Sequence, residues 1–350
     1  MPIERERRAT LRFAAGLALA ALIGWGRGGP FAYVLPLLAL LLLAPGTPPP
    51  APRQALALLV ITGLSCIWGL LLTPLLTYAP PAGVTVILAG VALSSFLAGM
   101  RPGLAVPLKL FIVGNTLIAV VAFHSQALAQ FVAVQMGVDI VLAVAIAWVV
   151  AVLLPDRRDE PAPVPLPVPE PLAAPAAGWV GLRSALVMVL PVVLALQNPG
   201  LFLMTLMNGA QLAQQPDAQR LHQNALAIVT STAAGGAMAL GFWWVLGLWP
   251  ALPLLVGGIA LAALVAGPWL HGPAASETSR QWWPPALSTM IVVLGSTVAD
   301  SDMGTDIQVL TIRRIAVMLA LALLAAVLVQ GLDTWRTRRI ARRQKTGAMG

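Results

Sequence analysis

The stretch AQFVAVQMGVDIVLAVAIAWVVAVLL, residues 129–154, decides the fold class of this chain. It contains a single charged residue, Asp139, and is longer than the roughly 20 apolar residues that a helix needs to cross a bilayer. Its apolar residues are continuous rather than alternating, which argues against a membrane β-barrel. The stretch therefore predicts a transmembrane helix.

Comparable apolar stretches occur throughout the 350 residues, of which 59% are hydrophobic and only 10% charged, with a mean hydropathy of +0.86. A soluble domain has about 25% charged residues, so the composition excludes a soluble enzyme. We predict an all-α polytopic membrane protein of about twelve spans. They lie near 9–26, 30–45, 54–78, 83–100, 105–124, 129–154, 179–197, 200–214, 224–248, 250–270, 282–300 and 308–332. The segments at 9–26, 30–45 and 200–214 are short, and ten or eleven complete crossings are the alternative.

A proline-rich segment divides the spans into two equal groups. Residues 161–171 read PAPVPLPVPEP, and such a run favours extended polyproline geometry over a helix. The expected organisation is a six-helix unit at 1–155, a cytoplasmic linker at 156–178, a second six-helix unit at 179–333 and a basic tail at 334–350.

The net charge of +8 indicates topology rather than a nucleic-acid partner, because no stacking aromatic residues interleave with the basic clusters. Cytoplasmic loops of membrane proteins retain Lys and Arg. With both termini in the cytoplasm of a bacterial cell, all but Arg27, Arg313 and Arg314 of the 21 Lys and Arg residues fall on the cytoplasmic side. The basic tail is expected to lie on anionic lipid headgroups.

The two groups of spans resemble each other at an offset of about 170 residues. Ala55-Leu56-Ala57-Leu58 matches Ala225-Leu226-Ala227-Ile228, and Gly114-Asn115-Thr116-Leu117 matches Gly295-Ser296-Thr297-Val298. Because six is an even number, both groups enter the membrane from the same side. The sequence thus predicts two parallel repeats, and transport sites commonly lie at the interface between such repeats.

This plan of six spans, a linker and six spans resembles the fusaric acid resistance and aromatic acid exporter superfamily of bacterial inner-membrane proteins. The resemblance includes short basic openings before small-residue helices, here Arg53-Gln54-Ala55-Leu56-Ala57 and Arg313-Arg314-Ile315-Ala316. It implies export of aromatic carboxylates or other toxic organic compounds, beside a periplasmic adaptor of the membrane-fusion type. Relatives often carry a cytoplasmic domain after each six-span block, where this sequence has a 23-residue linker and a short basic stretch.

Apart from charges near the ends of spans, three charged residues are predicted to lie in the hydrocarbon, where each costs about 2.5–3.5 kcal/mol on insertion scales. They are Asp139, Arg313 and Arg314, and a repeat alignment puts Asp139 and Arg314 at equivalent positions. One interpretation is structural: Asp139 and Arg314 pair, or the arginines extend toward the membrane surface. The other is functional: an arginine attracts a substrate carboxylate, and Asp139 carries the coupling proton.

Uncharged polar residues occupy matching positions in the fifth and eleventh spans. They are Asn115 and Thr116, and Ser296 and Thr297. Such residues often form hydrogen bonds between membrane helices, and lining the substrate path is the alternative role.

The sequence lacks motifs for catalysis or ATP-driven pumping. It has no phosphate-binding G-x-x-x-x-G-K-[ST] run, no H-E-x-x-H and no G-x-S-x-G. A single cysteine and three distant histidines give no disulfide, metal or cofactor site. We therefore expect a secondary, proton-coupled exporter of organic anions rather than an enzyme. A passive anion channel and a non-transporting assembly subunit remain the alternatives.

Overall fold

The computed structural model describes residues 2–29, 31–44, 48–155, 170–199, 202, 206, 221–272, 275–300 and 307–347. Within these residues the chain is helical and has no strand, as the apolar stretches predicted. The helices are α1 (Pro2–Gly26), α2 (Val34–Leu43), α3 (Pro52–Leu71), α4 (Thr73–Tyr78), α5 (Pro80–Met100), α6 (Ala105–His124), α7 (Gln126–Leu153), α8 (Ala174–Gln197), α9 (Leu221–Leu248), α10 (Leu252–His271), α11 (Glu277–Asp300) and α12 (Ile307–Gly347).

Nine segments in the described ranges are long and apolar enough to cross a membrane. These are Glu6–Gly26, Pro52–Tyr78, Pro80–Met100, Pro102–His124, Gln126–Leu153, Ala174–Gln197, Val229–Leu248, Leu252–His271 and Thr311–Arg336. They confirm a helical, multi-pass membrane protein.

Three of the predicted twelve spans are absent from these nine. The segment predicted at 30–45 contains only the ten-residue α2, which extends about 15 Å and is too short for a hydrocarbon core of about 30 Å. Helix α11 has 24 residues, but Glu277, Arg280 and two internal prolines make it less apolar. The segment predicted at 200–214 lies outside the described residues except for Phe202 and Leu206.

Both ends of the second unit differ from the predicted boundaries. Helix α8 begins at Ala174, inside the predicted linker, and has Pro175 in its first turn, where proline is tolerated because no N–H is needed there. Residues 156–169 of the linker lie outside the described part. Helix α12 continues to Gly347, so residues 334–347 of the predicted basic tail are helical.

The two halves of the chain pack against each other in a reciprocal way. Helix α1 packs along α10, and α8 packs along α5. Glycines permit both approaches: Gly267 of α10 faces Thr10 of α1, and Gly181 of α8 faces the Ala92 carbonyl oxygen of α5. Each half therefore contributes its first helix to an interface with the other half.

The contacts within each half also correspond. Helix α6 packs on α3, α5 and α7, and α11 packs on α9, α10 and α12. The α3–α6 contact is so close that a Cβ on Gly114 would lie 2.1 Å from Ser65 Oγ, and in the α9–α11 contact a Cβ on Gly235 would lie 2.3 Å from the Ala286 carbonyl oxygen. Helices α6 and α11 are thus at the centre of their respective halves.

Candidate functional site

The most enclosed charge in the described part of the chain is the carboxylate of Asp139, in the middle of α7. Its side chain is 0% exposed, and its Oδ1 accepts a hydrogen bond from Nη2 of Arg27, whose side chain is 35% exposed. Arg27 follows the last residue of α1. Side chains on a helix lean toward its N-terminus, which directs Arg27 back along α1 and into the bundle.

The pairing of Asp139 corrects one sequence-based interpretation. The repeat alignment gives Asp139 and Arg314 equivalent positions, and one interpretation of the sequence therefore pairs them. Asp139 faces Arg27 instead, since α7 packs against α1, whereas α12 packs on α8, α9 and α11. Equivalent positions in two repeats do not require that the residues meet.

The loop after Arg27 enters the interior of the protein. Gly28 and Gly29 have φ of +71° and +103°, which glycine adopts with little strain, so the chain can turn sharply after α1. The next residues, Phe31–Tyr33, are buried. Nε2 of Gln135, one turn before Asp139 on α7, donates a hydrogen bond to the Phe31 carbonyl oxygen over 3.1 Å. The loop is therefore fixed to the same face of α7 at two points.

The other side of this loop contacts α11. A Cβ on Gly295 would lie 2.4 Å from Cβ of Tyr33, so only glycine fits there without displacement of the loop. The loop between α1 and α2 thus joins α7 of the first half to α11 of the second. We call Asp139, Gln135 and the loop residues 27–29 and 31–33 the loop site.

The two adjacent arginines of α12 lie in different environments. Arg314 is buried, with 6% exposure, whereas Arg313 is exposed. Successive helix residues are about 100° apart, which separates the two side chains in this way. Neither arginine belongs to the loop site, and their role on a substrate path stays a prediction.

The four uncharged residues of the predicted pathway are buried and hydrogen-bonded. Asn115 Nδ2 donates to the Ile87 carbonyl oxygen of α5 over 3.0 Å, and Thr116 Oγ1 donates within α6. Ser296 and Thr297 donate to Val293 within α11. These bonds give each residue a structural function. Their contribution to a pathway stays a prediction.

A second ion pair, which sequence reasoning missed, joins α8 to α12. Arg183 Nη1 donates to Oδ2 of Asp333 over 3.0 Å, and Trp179 Nε1 donates to Oδ1 over 2.6 Å. The guanidinium of Arg336 lies 5.2 Å from the ring centre of Trp179. The sequence signal was present: Arg183 lies near the start of the predicted span 179–197, and Asp333 directly follows the span 308–332. Charges at span ends are usually boundary markers, so neither residue stands out.

The two ion pairs occupy corresponding places in the chain. Arg27–Asp139 joins α1 to α7, the first and last membrane helices of the first half. Arg183–Asp333 joins α8 to α12, the first and last described membrane helices of the second half. The side chain of Arg27 in the first pair is one-third exposed, whereas both members of the second pair are nearly enclosed.

These features define a multi-pass helical membrane protein with charged residues enclosed between its helices. Residues 9–150 match the model of a family described as "Protein of unknown function (DUF2955)". The matched range includes Arg27 and Asp139. No curated protein and no solved structure matches the chain. The family is uncharacterised, so the resemblance to aromatic acid exporters stays a prediction.

Proposed function

We propose that this chain is a secondary exporter of organic anions or toxic aromatic and lipophilic compounds in the bacterial inner membrane. It is coupled to protons and works with a periplasmic adaptor of the membrane-fusion type. The observation that carries the proposal is the ion pair between Arg27 and Asp139, which lies inside a bundle of membrane helices on an irregular loop.

Buried charges in a membrane protein favour a function in transport. Each costs several kcal/mol in hydrocarbon unless it is paired or hydrated, and such residues mark ion and substrate paths. A purely structural contact does not require charges, because apolar residues of similar volume often stabilise a bundle equally well. A partly exposed guanidinium is in addition suited to binding a planar carboxylate. These arguments support a path for anions near the loop site.

We further propose that the chain consists of two parallel six-span repeats with both termini in the cytoplasm. The reciprocal packing of α1 on α10 and of α8 on α5 supports this plan. So does the corresponding placement of the two ion pairs between first and last helices. The loop site touches both halves through Asp139 and Gly295, and repeat interfaces are where transporters commonly bind their substrates.

A passive anion channel is the second candidate, because Arg27 is one-third exposed and a fixed positive charge attracts anions without any coupling. The membrane potential alone already favours anion export, by about 2.3 kcal/mol per charge for each 100 mV. A channel and a coupled exporter therefore both lower the cytoplasmic level of an anion. They differ once the potential is removed, since channel flux then follows only the concentration gradient of the anion.

The test of transport uses the full chain in a strain from which its gene has been deleted. Cells are loaded with radiolabelled 4-hydroxybenzoate, and efflux is measured with wild type, Arg27→Gln, Asp139→Asn and an empty vector. Arg101→Gln is the matched control, because it removes an exposed arginine that directly follows the last residue of α5 and lies outside the loop site. We expect faster efflux with wild type and the control than with the vector, and slower efflux with Arg27→Gln.

Equal efflux from the vector and wild-type strains, repeated with a panel of aromatic acids and lipophilic toxins, would contradict the exporter proposal. Equal loss in Arg27→Gln and Arg101→Gln at normal protein levels would remove the loop site from the mechanism. Efflux whose rate changes when a proton ionophore collapses the pH gradient, with the potential held by potassium and valinomycin, would favour coupling over a channel.

A further inference from the structure

We infer that Arg27 binds the transported anion directly, and that the anion and the carboxylate of Asp139 exchange on this guanidinium as Asp139 gains or loses a proton. The ligand class is a carboxylate or sulfonate attached to an organic group. The inference rests on the proposed function and specifies the sign of its proton coupling.

Arg27 has unused capacity for an anion. A guanidinium has five N–H donors in a planar fork, and in the described part of the chain only Nη2 has an acceptor, Oδ1 of Asp139. Carboxylates and sulfonates engage such a fork with two oxygens at once. Since the side chain is 35% exposed, a ligand can approach it from the side that Asp139 does not cover.

Asp139 has unused capacity for a proton. Its Oδ2 is buried and has no hydrogen-bond partner, and the same holds for Oε1 of Gln135. The two residues are four apart on α7, so their side chains lie on one face. A proton on Oδ2 would turn one of these two acceptors into a donor for the other.

The surroundings of Asp139 allow only two ways to neutralise it. Helix α7 is packed by α1, α2, α3 and α6, and among their described residues and the loops that join them Arg27 is the charged group that reaches this carboxylate. An ionised carboxylate without a partner is strongly unfavourable in hydrocarbon. An anion on Arg27 beside an ionised Asp139 would give the site a net negative charge in hydrocarbon, so a proton binds Asp139 when the anion binds.

The charge balance follows directly. In the free state Arg27 is positive and Asp139 negative, so the site is neutral. In the occupied state Arg27 is positive, the anion negative and Asp139 protonated, so the site is neutral again. One proton enters for each anion bound, and both leave together. The site therefore carries the complete acid, and export follows the gradient of that acid without a contribution from the membrane potential.

This coupling differs from proton antiport, in which proton binding expels the substrate. Here proton binding at Asp139 promotes binding of the anion at Arg27. An exporter of this type releases an acid that has accumulated in the cytoplasm and does not pump it against a large gradient.

The probe for the test is benzenesulfonate, an aromatic anion that stays ionised at neutral pH and does not carry protons through lipid by itself. The full chain is reconstituted in liposomes containing a pH-sensitive dye, with the potential clamped at zero by potassium and valinomycin. After addition of benzenesulfonate outside, we expect the interior to become acidic, with one proton entering per anion. Alkalinisation of the interior, or uptake without proton movement, would overturn the inference.

Binding gives a second readout that does not depend on transport. Calorimetry of benzenesulfonate binding to the purified protein, in two buffers of different ionisation enthalpy, reports the protons taken up per anion. We expect one proton for wild type near neutral pH and none for Asp139→Asn, which lacks both the competing carboxylate and the proton acceptor. Arg27→Lys keeps the charge but loses the fork, and we expect its affinity to fall at least tenfold.

The outcomes separate the inference from the proposed function. Proton-linked binding without uptake into liposomes would leave the site in place and contradict transport. Uptake with no proton taken up on binding would contradict the inference and support the channel. Absence of binding in wild type, or equal proton uptake in wild type and Asp139→Asn, would overturn the inference.

Discussion

Replacing either member of the loop-site ion pair tests how the pair is stabilised, because the two side chains differ in exposure. Arg27→Gln leaves the fully buried carboxylate of Asp139 without a countercharge. Asp139→Asn leaves Arg27 without a countercharge, but the Arg27 side chain is 35% exposed. The first change should therefore destabilise the protein much more than the second.

The size of the first effect follows from the least costly alternative for Asp139, which is to take up a proton. An aspartate in water has a pKa of about 3.9, and each pH unit corresponds to 1.36 kcal/mol, so protonation at pH 7 costs about 4 kcal/mol. Loss of one partner from a buried pair typically costs 3–5 kcal/mol. For Asp139→Asn we expect a loss below about 1 kcal/mol, typical of an exposed pair.

The pH dependence of Arg27→Gln has a definite sign. Between pH 4 and 7 its folded state holds a proton on Asp139 that the unfolded state releases. Stability of the variant must then rise as the pH falls, by about 1.4 kcal/mol per unit. At pH 5 the loss relative to wild type should shrink to about 1.5 kcal/mol. The double variant Arg27→Gln/Asp139→Asn should recover most of the stability, because no charge remains.

The assay is the free energy of unfolding in mixed micelles, from titration with sodium dodecyl sulfate followed by tryptophan fluorescence. Arg313→Gln is the control, because it removes an exposed arginine of α12 and should change stability by less than about 0.5 kcal/mol. Equal losses for Arg27→Gln and Asp139→Asn, or a loss in Arg27→Gln that does not vary with pH, would refute the reasoning.

Three further predictions concern single positions and use the same assay. Gly114→Ala should destabilise by about 1–3 kcal/mol, because its Cβ meets the neighbouring helix, whereas Gly257→Ala, which faces open space, should stabilise by about 0.5–1 kcal/mol through helix propensity. Trp179→Phe should lower the free energy of unfolding by about 1.5–3 kcal/mol, since it removes the hydrogen bond to the Asp333 carboxylate. Unchanged stability would show that this bond is dispensable. Gly28→Ala should lower the free energy of unfolding by about 1–2 kcal/mol, because Gly28 has a left-handed φ that alanine adopts only with strain. Unchanged stability would indicate a different loop conformation.

Hydropathy predicted the long helices well and the short one badly, for a physical reason. The span expected at 105–124 is the helix Ala105–His124, because its apolar residues fill one element between two clear breaks. The span expected at 30–45 includes Phe31–Tyr33, which are apolar and buried but belong to a loop. Apolar composition reports burial and does not distinguish a buried loop from a helix.

The candidate site could be predicted only in part. A lone carboxylate in an apolar span identifies Asp139 as a residue that needs a partner, but its partner is 112 positions away in sequence. Arg27 lies at the end of a predicted span, where an arginine normally extends toward water. That it turns inward depends on the sharp loop at Gly28 and Gly29 and on the packing of α1 against α7, neither of which is visible in a single sequence.

The difference between the two ion pairs locates the exchangeable site in the first half of the chain. Asp333 accepts hydrogen bonds from both Arg183 and Trp179, and Arg183 is only 3% exposed, so an external anion would have to break several contacts to enter. Asp139 accepts a hydrogen bond from one nitrogen of Arg27, and the Arg27 side chain is 35% exposed. The buried pair Arg183–Asp333 thus connects α8 to α12. The partly exposed pair Arg27–Asp139 connects α1 to α7 by a contact that a ligand can replace. If both pairs had only this fastening role, loss of either would lower stability and leave anion binding unchanged. Exchange at Arg27 instead requires that benzenesulfonate binding be lost in Arg27→Gln and retained in Asp333→Asn.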